Sequence, residues 1–329
     1  MPSAPPQSFN PSHPLPPCDD LTVVTITYPT ADVPCIHLLE LNFLSNIRYL
    51  DVGDGHDASE CHSLLLVDGI NQSHIGAPAY ARWRRNIEER QRRAVAAPHP
   101  TPLDRLLART RIVFMEAPKT CLPGMLRLAM QSGGLVTTPF VLVRQLDRLF
   151  TRRVALGAVL AHMRSDPHAV KLLSIQSDQM TDRYPPDHLF WRVSTRFPGY
   201  NATRIMGNIG DHSHVTTVSL YRKTLLPLVE KERSSVPPWR ACYIESYWNW
   251  AYESSYTLGK LRDRNFFLYN TPADFRFTTH LRIRSVPDSR AAQRAEYSQV
   301  RRKLGAIAEA QRYREDVSEC SSSPDEIEL

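Results

Sequence analysis

Several features that mark other protein classes are missing from this 329-residue chain. No apolar run approaches the length of a membrane span, and the N-terminus lacks the basic-then-apolar pattern of a signal peptide. The six cysteines stand far apart and form no CxxC pair, which argues against a zinc site or a redox motif and predicts scattered free thiols. No internal repeat occurs at the usual periods. The sequence is therefore expected to form an ordinary globular fold.

The charge balance limits the class of partner. A formal net charge of +6 and a pI near 9.0 come mostly from arginine. This excess favours anionic ligands such as phosphates. It is spread too widely along the chain to argue for nucleic acid.

Short apolar runs alternate with helical patterns through the first half of the chain. Strands are predicted at Leu21–Tyr28, Leu64–Val67, Arg111–Met115, Phe140–Val143 and Val170–Ile175. Helices are predicted between them at 34–50, 79–97, 124–131 and 154–163, the second being Arg-rich and expected to be solvated. This alternation is typical of an α/β fold, a mostly parallel sheet flanked by helices.

Composition divides the chain into five segments. Residues 1–20 are a proline-rich leader expected to be disordered, and 21–175 form the alternating half described above. Residues 176–285 are richer in aromatics and loops, with helices predicted at 224–231 and 242–252 and short strands at 265–269 and 275–281. A charged amphipathic helix is expected over 286–317. The Ser-rich, acidic tail 318–329 is expected to be disordered.

Polar residues follow the ends of the predicted strands, at Pro29-Thr30, Asp68-Gly69, Glu116–Lys119 and Gln145–Asp147. Because the carboxyl ends of parallel strands meet at one edge of a sheet, these residues are expected to converge there around a nucleotide. An acid at the central strand suits a divalent cation on a diphosphate. On position alone, Asp147 fits equally well as the cap of a helix beginning near Arg148.

Two residues of the second half carry the remaining chemistry. Glu245 is an acid among aromatics and is suited to act as a base towards a hydroxyl acceptor. His280 follows a short predicted strand and fits a metal or phosphate contact. Flat faces for a sugar, or bulk for the core, are offered by Trp191, Tyr247, Trp248 and Trp250.

One motif points to a different enzyme class. Leu50–Gly55, LDVGDG, resembles the Gly-rich turn of S-adenosylmethionine-dependent methyltransferases, with Asp68 as the acid that ends the next strand. That interpretation needs a crossover helix before Leu64. The segment His56–Ser63 is too short and too polar to supply one.

Taken in order, a set of motifs looks like glycosyltransferases of the GT-A fold, most closely their family-2-like members. The motifs are LTVVTITYPT (21–30), LLLVDGI (64–70), TTPFVLVRQLDRLF (137–150), VKLLSI (170–175), GDHSHVTTVSLYRK (210–223), YIESYW (243–248) and FFLYNTPADFRFTTHLRIRS (266–285). The resemblance implies transfer of a sugar from a nucleotide-diphosphate sugar to a hydroxyl of a glycan, a protein or a small molecule. It also implies inversion at the anomeric centre and assistance from Mn²⁺ or Mg²⁺.

On the donor side, the resemblance implies that Gln145-Leu146-Asp147 stands where the family has its DxD motif. Asp147 would contact the metal, and Gln145 replaces the first acid. Asp68, with Pro29 and Thr30, would contact the nucleotide. His280 matches the family's C-terminal metal-binding histidine.

On the acceptor side, Ile244-Glu245-Ser246 matches the xED motif, with Glu245 as the base and Ser246 in place of the usual Asp. Asp211, His212 and Trp248 would contact the acceptor. The two departures leave open a relative that kept the fold and lost catalysis. Family members usually work behind a membrane anchor; with none in this chain, both a cytosolic protein and a chain incomplete at its N-terminus stay open.

Overall fold

The strands build one large sheet. The computed structural model describes residues 18–27, 36–53, 56–69, 77–115, 121–175, 191–205, 213–232, 247, 265–270 and 278–280. In chain order, the strands of these ranges are β1 (Leu21–Thr27), β2 (His62–Val67), β3 (Arg111–Phe114), β4 (Phe140–Gln145), β5 (Arg148–Phe150), β6 (Leu172–Ile175), β7 (Trp191–Phe197), β8 (Tyr200–Ile205), β9 (Ser213–Thr217), β10 (Phe266–Asn270) and β11 (Thr278–His280). Nine of these lie in one sheet, in the order β3-β2-β1-β4-β9-β6-β10-β8-β7, and β5 pairs separately with β11.

The sheet is mostly parallel on its first-half side. β1 pairs in parallel with β2 and β4, and β2 with β3. β9 enters antiparallel between β4 and β6, and β6 pairs in parallel with β10. The expected α/β sheet flanked by helices is confirmed. Strands from both sides of residue 175 share this sheet, and the proposed division there stays a prediction.

Helices cover both faces of the sheet. They are α1 (His37–Tyr49), α2 (Ala77–Val95), α3 (Pro102–Arg109), α4 (Cys121–Met130) and α5 (Leu156–Ser165). After β9 come three short helical pieces, Val218–Leu220, a π-helical turn Tyr221–Leu225, and Leu226–Glu232. Every residue of β1 is buried, as expected for a central strand with helices on both faces.

Alternate residues of the central strand β1 lie in two apolar layers, one on each face of the sheet. Val24 and Ile26 pack with α4 and the π-helical turn, whereas Leu21 and Val23 pack with α5. A third apolar cluster joins α1, α2 and α3 to β2. Because side chains alternate across a strand, one buried strand ties both layers together.

The Arg-rich helix α2 is more than a solvated surface. Its residues Tyr80, Trp83 and Ile87 are buried. Arg90 donates from Nε to Glu40 of α1 at 2.6 Å and from Nη2 to Asp104 of α3 at 2.8 Å. Since the Arg90 side chain is only 16% exposed, this bridge fastens three helices inside the protein. The sequence pattern identified the helix but not this buried ion pair.

Several elements differ from the sequence expectations. Helix α3 was not among the predicted helices. Pro102 instead lies at the start of the helix, where a missing N–H costs nothing, behind a capping box of Thr101 and Asp104. The loop-rich stretch before residue 210 contains the hairpin β7–β8, with Gly199 at φ 80° in its turn.

The expectation of scattered free thiols is wrong for the three described cysteines. Cys18 and Cys61 form a disulfide with a Cα–Cα distance of 4.4 Å. Cys121 is also disulfide-bonded. Cys18 is 4% exposed, so the ordered core begins before Leu21. Spacing could not predict these pairs because the partners are distant in sequence.

Helices of the described ranges all fall short of what a bilayer span requires in length and apolarity. Residues 1–17 and 281–329, which hold most of the predicted leader and all of the C-terminal helix and acidic tail, lie outside the described residues.

Candidate donor site at the carboxyl edge of the sheet

Three neighbouring strands end side by side. The N–H of Asp68, directly after β2, donates to the carbonyl of Thr27 in β1 at 2.8 Å. The N–H of Leu146, directly after β4, donates to the carbonyl of Ile26 at 2.9 Å. Asp68 and the Gln145–Asp147 stretch therefore lie at the same edge of the sheet, as predicted.

The carboxylate of Asp68 connects β2 to the start of α4 at this edge. It is 0% exposed, and its Oδ1 and Oδ2 accept from the N–H groups of Gly69 (2.8 Å) and Cys121 (3.0 Å). Cys121 opens α4 with φ at 59° and is held by its disulfide. The carboxylate thus fastens the start of α4 to the end of β2. Its predicted contact with a nucleotide stays a prediction.

The turn after β4 is held from below by α1. Asn42, fully buried, donates from Nδ2 to the carbonyls of Gln145 (3.3 Å) and Leu146 (2.7 Å). The chain then enters β5 at Arg148, so the alternative in which Asp147 caps a helix is wrong. A strand forms here because β11 pairs with it, and no local pattern encodes that partner.

Two arginines flank the single acid of this turn. Arg144 is 1% exposed; its Nη2 donates to the carbonyl of Arg148 at 2.5 Å, and its guanidinium lies 4.6 Å from the centroid of the Phe150 ring. Its Nε and Nη1 are buried and have no hydrogen-bond partner among the described residues. Burial lowers the pKa of Arg144 to about 9, while the charge of Asp147 acts in the opposite direction.

Arg148 fixes the orientation of Gln145. Its Nε donates to Gln145 Oε1 at 3.1 Å. Only the amide oxygen can accept this bond, so the Nε2 amide group forms the other end of the side chain. Gln145 and Asp147 are half-buried and Arg148 is 5% exposed. The Gln145 amide and the Arg148 guanidinium therefore lie together at the turn that also carries Asp147, whose Oδ1 is buried.

These residues fit a divalent cation poorly. Mg²⁺ and Mn²⁺ prefer several oxygen ligands, but here the Gln145 oxygen accepts a hydrogen bond from Arg148, and Asp147 is the single acid of the turn. No group of three or more His, Cys, Asp or Glu within the described ranges could hold a metal. The backbone of His280 pairs with Arg148, which brings β11 beside the turn. The side chain of His280 lies outside the description, and its metal role stays a prediction.

The remaining predicted site residues lie outside the described residues: Pro29, Thr30, Asp211, His212, Glu245 and Trp248. Two neighbours of these residues are described. Ser213, directly after His212, pairs with Ile175 at the end of β6, on the same edge as Gln145. Tyr247 is buried in the apolar layer that holds Tyr221, so this aromatic packs the core.

Sequence reasoning missed a histidine at this edge. His214 in β9 lies opposite Val143 and Ser174, and its Nε2 is 2.5 Å from the hydroxyl of Tyr221. Tyr221 is fully buried and opens the π-helical turn. The sequence signal that could have located it is the mix of β-branched and polar residues in SHVTT (213–217), which favours a strand.

The alternative methyltransferase motif lacks its structural context. Leu50 and Asp51 form isolated bridges instead of ending a strand of the sheet. Between Cys61 and Gly53, the described residues hold one short 3₁₀ turn, Ala58–Glu60, in place of a crossover helix.

Solved structures that are similar to this chain include two glycosyltransferases. Galactosyltransferase LgtC, solved with donor and acceptor sugar analogues, is similar over 87% of this chain and 95% of its own, at 12% identity and a TM-score of 0.40. The glycosyltransferase GlyE from Streptococcus pneumoniae TIGR4 is similar over 73% of this chain and 45% of its own, at 14% identity and a TM-score of 0.34. No family model and no curated protein matches.

The sheet described above is a mixed, mostly parallel α/β sheet flanked by helices. The two likenesses, at such low identity and TM-score, do not decide which reaction this chain carries out.

Proposed function

We propose that this chain is a glycosyltransferase that takes a nucleotide-diphosphate sugar as donor and a hydroxyl as acceptor. The observation that supports it is the junction of β1, β2 and β4, where Thr27, Asp68 and Gln145 meet at one edge of the sheet. Ligands of open α/β sheets bind beyond the carboxyl ends of such strands. In the sequence, Pro29 and Thr30 come two and three residues after the end of β1, and they would line the nucleotide pocket with Asp68.

The reaction needs a base and a stabilised leaving group. The acceptor oxygen forms a bond to the anomeric carbon as the bond from that carbon to the diphosphate oxygen breaks. Glu245 would take the acceptor proton, and attack from the face opposite the leaving group would invert the centre. Asp211, His212 and Trp248 would hold the acceptor. If Mn²⁺ or Mg²⁺ is bound through Asp147 and His280, it would neutralise charge on the leaving diphosphate.

Replacing Glu245 with glutamine tests the assigned base. We expect the rate of sugar transfer to fall by about a hundredfold or more, because an amide cannot accept the proton. The measurement is release of nucleoside diphosphate from a panel of UDP- and GDP-sugars with mixed hydroxyl acceptors. Glu88→Gln, at a side chain 43% exposed on α2, is the matched control and should keep full activity. Unchanged transfer in Glu245→Gln would remove Glu245 from its role.

A relative that keeps the fold without catalysis is the second candidate. It is favoured by the engaged oxygen of Gln145 and by Ser246 in place of an acid. Such a protein would release no nucleoside diphosphate from any sugar of the panel.

A further inference from the structure

The excess positive charge of this chain is concentrated in one part of the fold. The stretch 77–114, which forms α2, α3 and β3, contains nine arginines and only three acids, Glu88, Glu89 and Asp104. Its surplus of basic residues equals the formal net charge of the whole chain, +6. The charge that was expected to be spread along the chain is therefore confined to three consecutive elements.

Four arginines of α2 share one side of the helix. Arg82 and Arg93 stand about three turns apart, and Arg85 and Arg92 about two turns apart, at roughly 3.6 residues per turn. All four side chains are exposed. The other side of α2 packs into the core through Tyr80, Trp83 and Ile87. This packing fixes an outward surface, here called the arginine face, that consists of Arg82, Arg85, Arg92 and Arg93.

Acidic side chains neutralise the arginine face only in part. Arg92 and Arg93 pair with the same carboxylate, that of Glu89, at 2.6 and 3.7 Å. Arg82 and Arg85 form no ion pair within the described ranges. The face therefore combines four guanidinium groups with one carboxylate.

The elements next to α2 add to the positive potential. Helix α3 packs on α2, where Gln91 Nε2 donates to the carbonyls of Leu107 (3.1 Å) and Thr110 (2.6 Å). Further exposed arginines on α3 and β3 are Arg105, Arg109 and Arg111. Charges of one sign gathered on one part of a surface attract an anionic partner.

Val95 favours one kind of anionic partner. It ends α2, one turn after Arg92, and at 67% exposure it is the one large hydrophobic residue that stands out from the surface among the described residues. An aliphatic side chain beside arginines suits the boundary between lipid headgroups and acyl chains. Sites for nucleic acids add aromatic rings that stack on bases, but the aromatic residues of α2 are buried.

We propose that the arginine face of α2 docks this protein on membranes that contain anionic phospholipids. Guanidinium groups match the geometry of phosphate oxygens. Clusters of about four to eight basic residues on an amphipathic helix are typical of surfaces that bind anionic headgroups. The contact is peripheral, with the lipid headgroups lying against the outward side of α2. It does not depend on the proposed transfer reaction.

Co-sedimentation of the full chain with lipid vesicles tests the proposal. One set of vesicles contains phosphatidylcholine alone, and the other contains phosphatidylcholine mixed with phosphatidylinositol. We expect binding to the second set only, and we expect added NaCl to weaken it because salt screens exposed charges.

Two double variants locate the contact. Arg82→Gln with Arg85→Gln should weaken binding to the anionic vesicles by about tenfold or more. Arg153→Gln with Arg196→Gln is the matched control. It removes the same charge from exposed side chains, one after β5 and one in β7 at the far end of the sheet from β3, and should change the affinity by less than about twofold.

Chemical labelling locates the contact without a substitution. Phenylglyoxal modifies accessible guanidinium groups, and mass spectrometry identifies the labelled residues. Anionic vesicles should protect Arg82 and Arg85 of the wild-type protein and leave Arg153, 76% exposed, as reactive as before. This measurement decides even if a variant does not fold.

Three results would overturn the proposal. Failure to bind the phosphatidylinositol vesicles would remove the lipid surface as the partner. Equal loss of binding in the two double variants, or equal protection of Arg82 and Arg153, would show attraction to the overall charge and no contact at α2. Binding to duplex DNA that is tighter than binding to the vesicles, and that depends on Arg82 and Arg85, would assign the face to nucleic acid.

Discussion

Replacing Arg90 with leucine is expected to lower the free energy of unfolding by about 3–5 kcal/mol. The change removes the bridge between α1, α2 and α3 and leaves the carboxylate of Glu40, whose side chain is 6% exposed, without its cation. Breaking one side of a buried ion pair costs more than the pair is worth, because an uncompensated charge remains. Urea denaturation followed by circular dichroism measures the loss.

Its control lies on the same helix. Arg92→Leu removes an arginine that is 73% exposed and paired with Glu89, and it should cost less than about 1 kcal/mol. Equal effects of the two substitutions would contradict the buried bridge.

The effect of Arg90→Leu should also depend on pH. Burial raises the pKa of Glu40, and Arg90 opposes that rise. Without Arg90 the pKa of Glu40 rises further, and a carboxyl with a raised folded pKa contributes stability that is lost as pH rises. Asp104 acts in the same sense. Burial raises its pKa, but Thr101 and Arg90 together lower it below its ordinary value. In the Arg90→Leu variant the contribution of Arg90 is lost, so the pKa of Asp104 rises. The deficit of the variant should therefore be larger near about pH 7 than near about pH 4.

Replacing both Cys18 and Cys61 with alanine is expected to cost about 4 kcal/mol of unfolding free energy. The disulfide closes a loop of 43 residues, and the loss follows from the extra chain entropy of the unfolded state. The bridge joins the turn before β1 to the segment before β2, and both cysteines pack in the layer that holds Val52. Removing it loosens the attachment of the central strands. Denaturation midpoints without reductant measure the difference.

Reductant provides the control. It should destabilise the wild type more than the double alanine variant, in which only other bridges such as that of Cys121 remain to be reduced. Equal midpoints for the variant and the wild type, or thiol titration that finds Cys18 and Cys61 free in the native protein, would contradict the bridge. Disulfides persist in oxidising compartments, so we expect the protein to fold in one.

The parallel half of the sheet was predictable from sequence because each strand is a short run dominated by apolar and β-branched residues. Thr27 and Val67 end strands that were placed within a residue or two of their true limits. The antiparallel strand β9 and the hairpin β7–β8 were missed because their residues mix polar and apolar character. They become strands through pairing with distant neighbours such as β4 and β10.

The candidate site was predictable only in outline. The end of β4 pointed to Gln145 and Asp147, because position along a parallel strand fixes which edge they reach. The role of Arg144 was hidden, since an arginine at a strand end reads as exposed until burial and the Phe150 ring are seen. The amide of Asn42, which holds the turn from α1, is separated from it by more than a hundred residues.

The central claim is that the carboxyl edge of this sheet binds a nucleoside diphosphate. The most direct measurement is a thermal-shift screen of the full chain against UDP, GDP and S-adenosylhomocysteine, each with EDTA and with MnCl₂. A ligand that binds only the folded state must raise the melting temperature. The account predicts a concentration-dependent rise with UDP or GDP and none with S-adenosylhomocysteine. A rise with S-adenosylhomocysteine alone, or with none of the three, would contradict it.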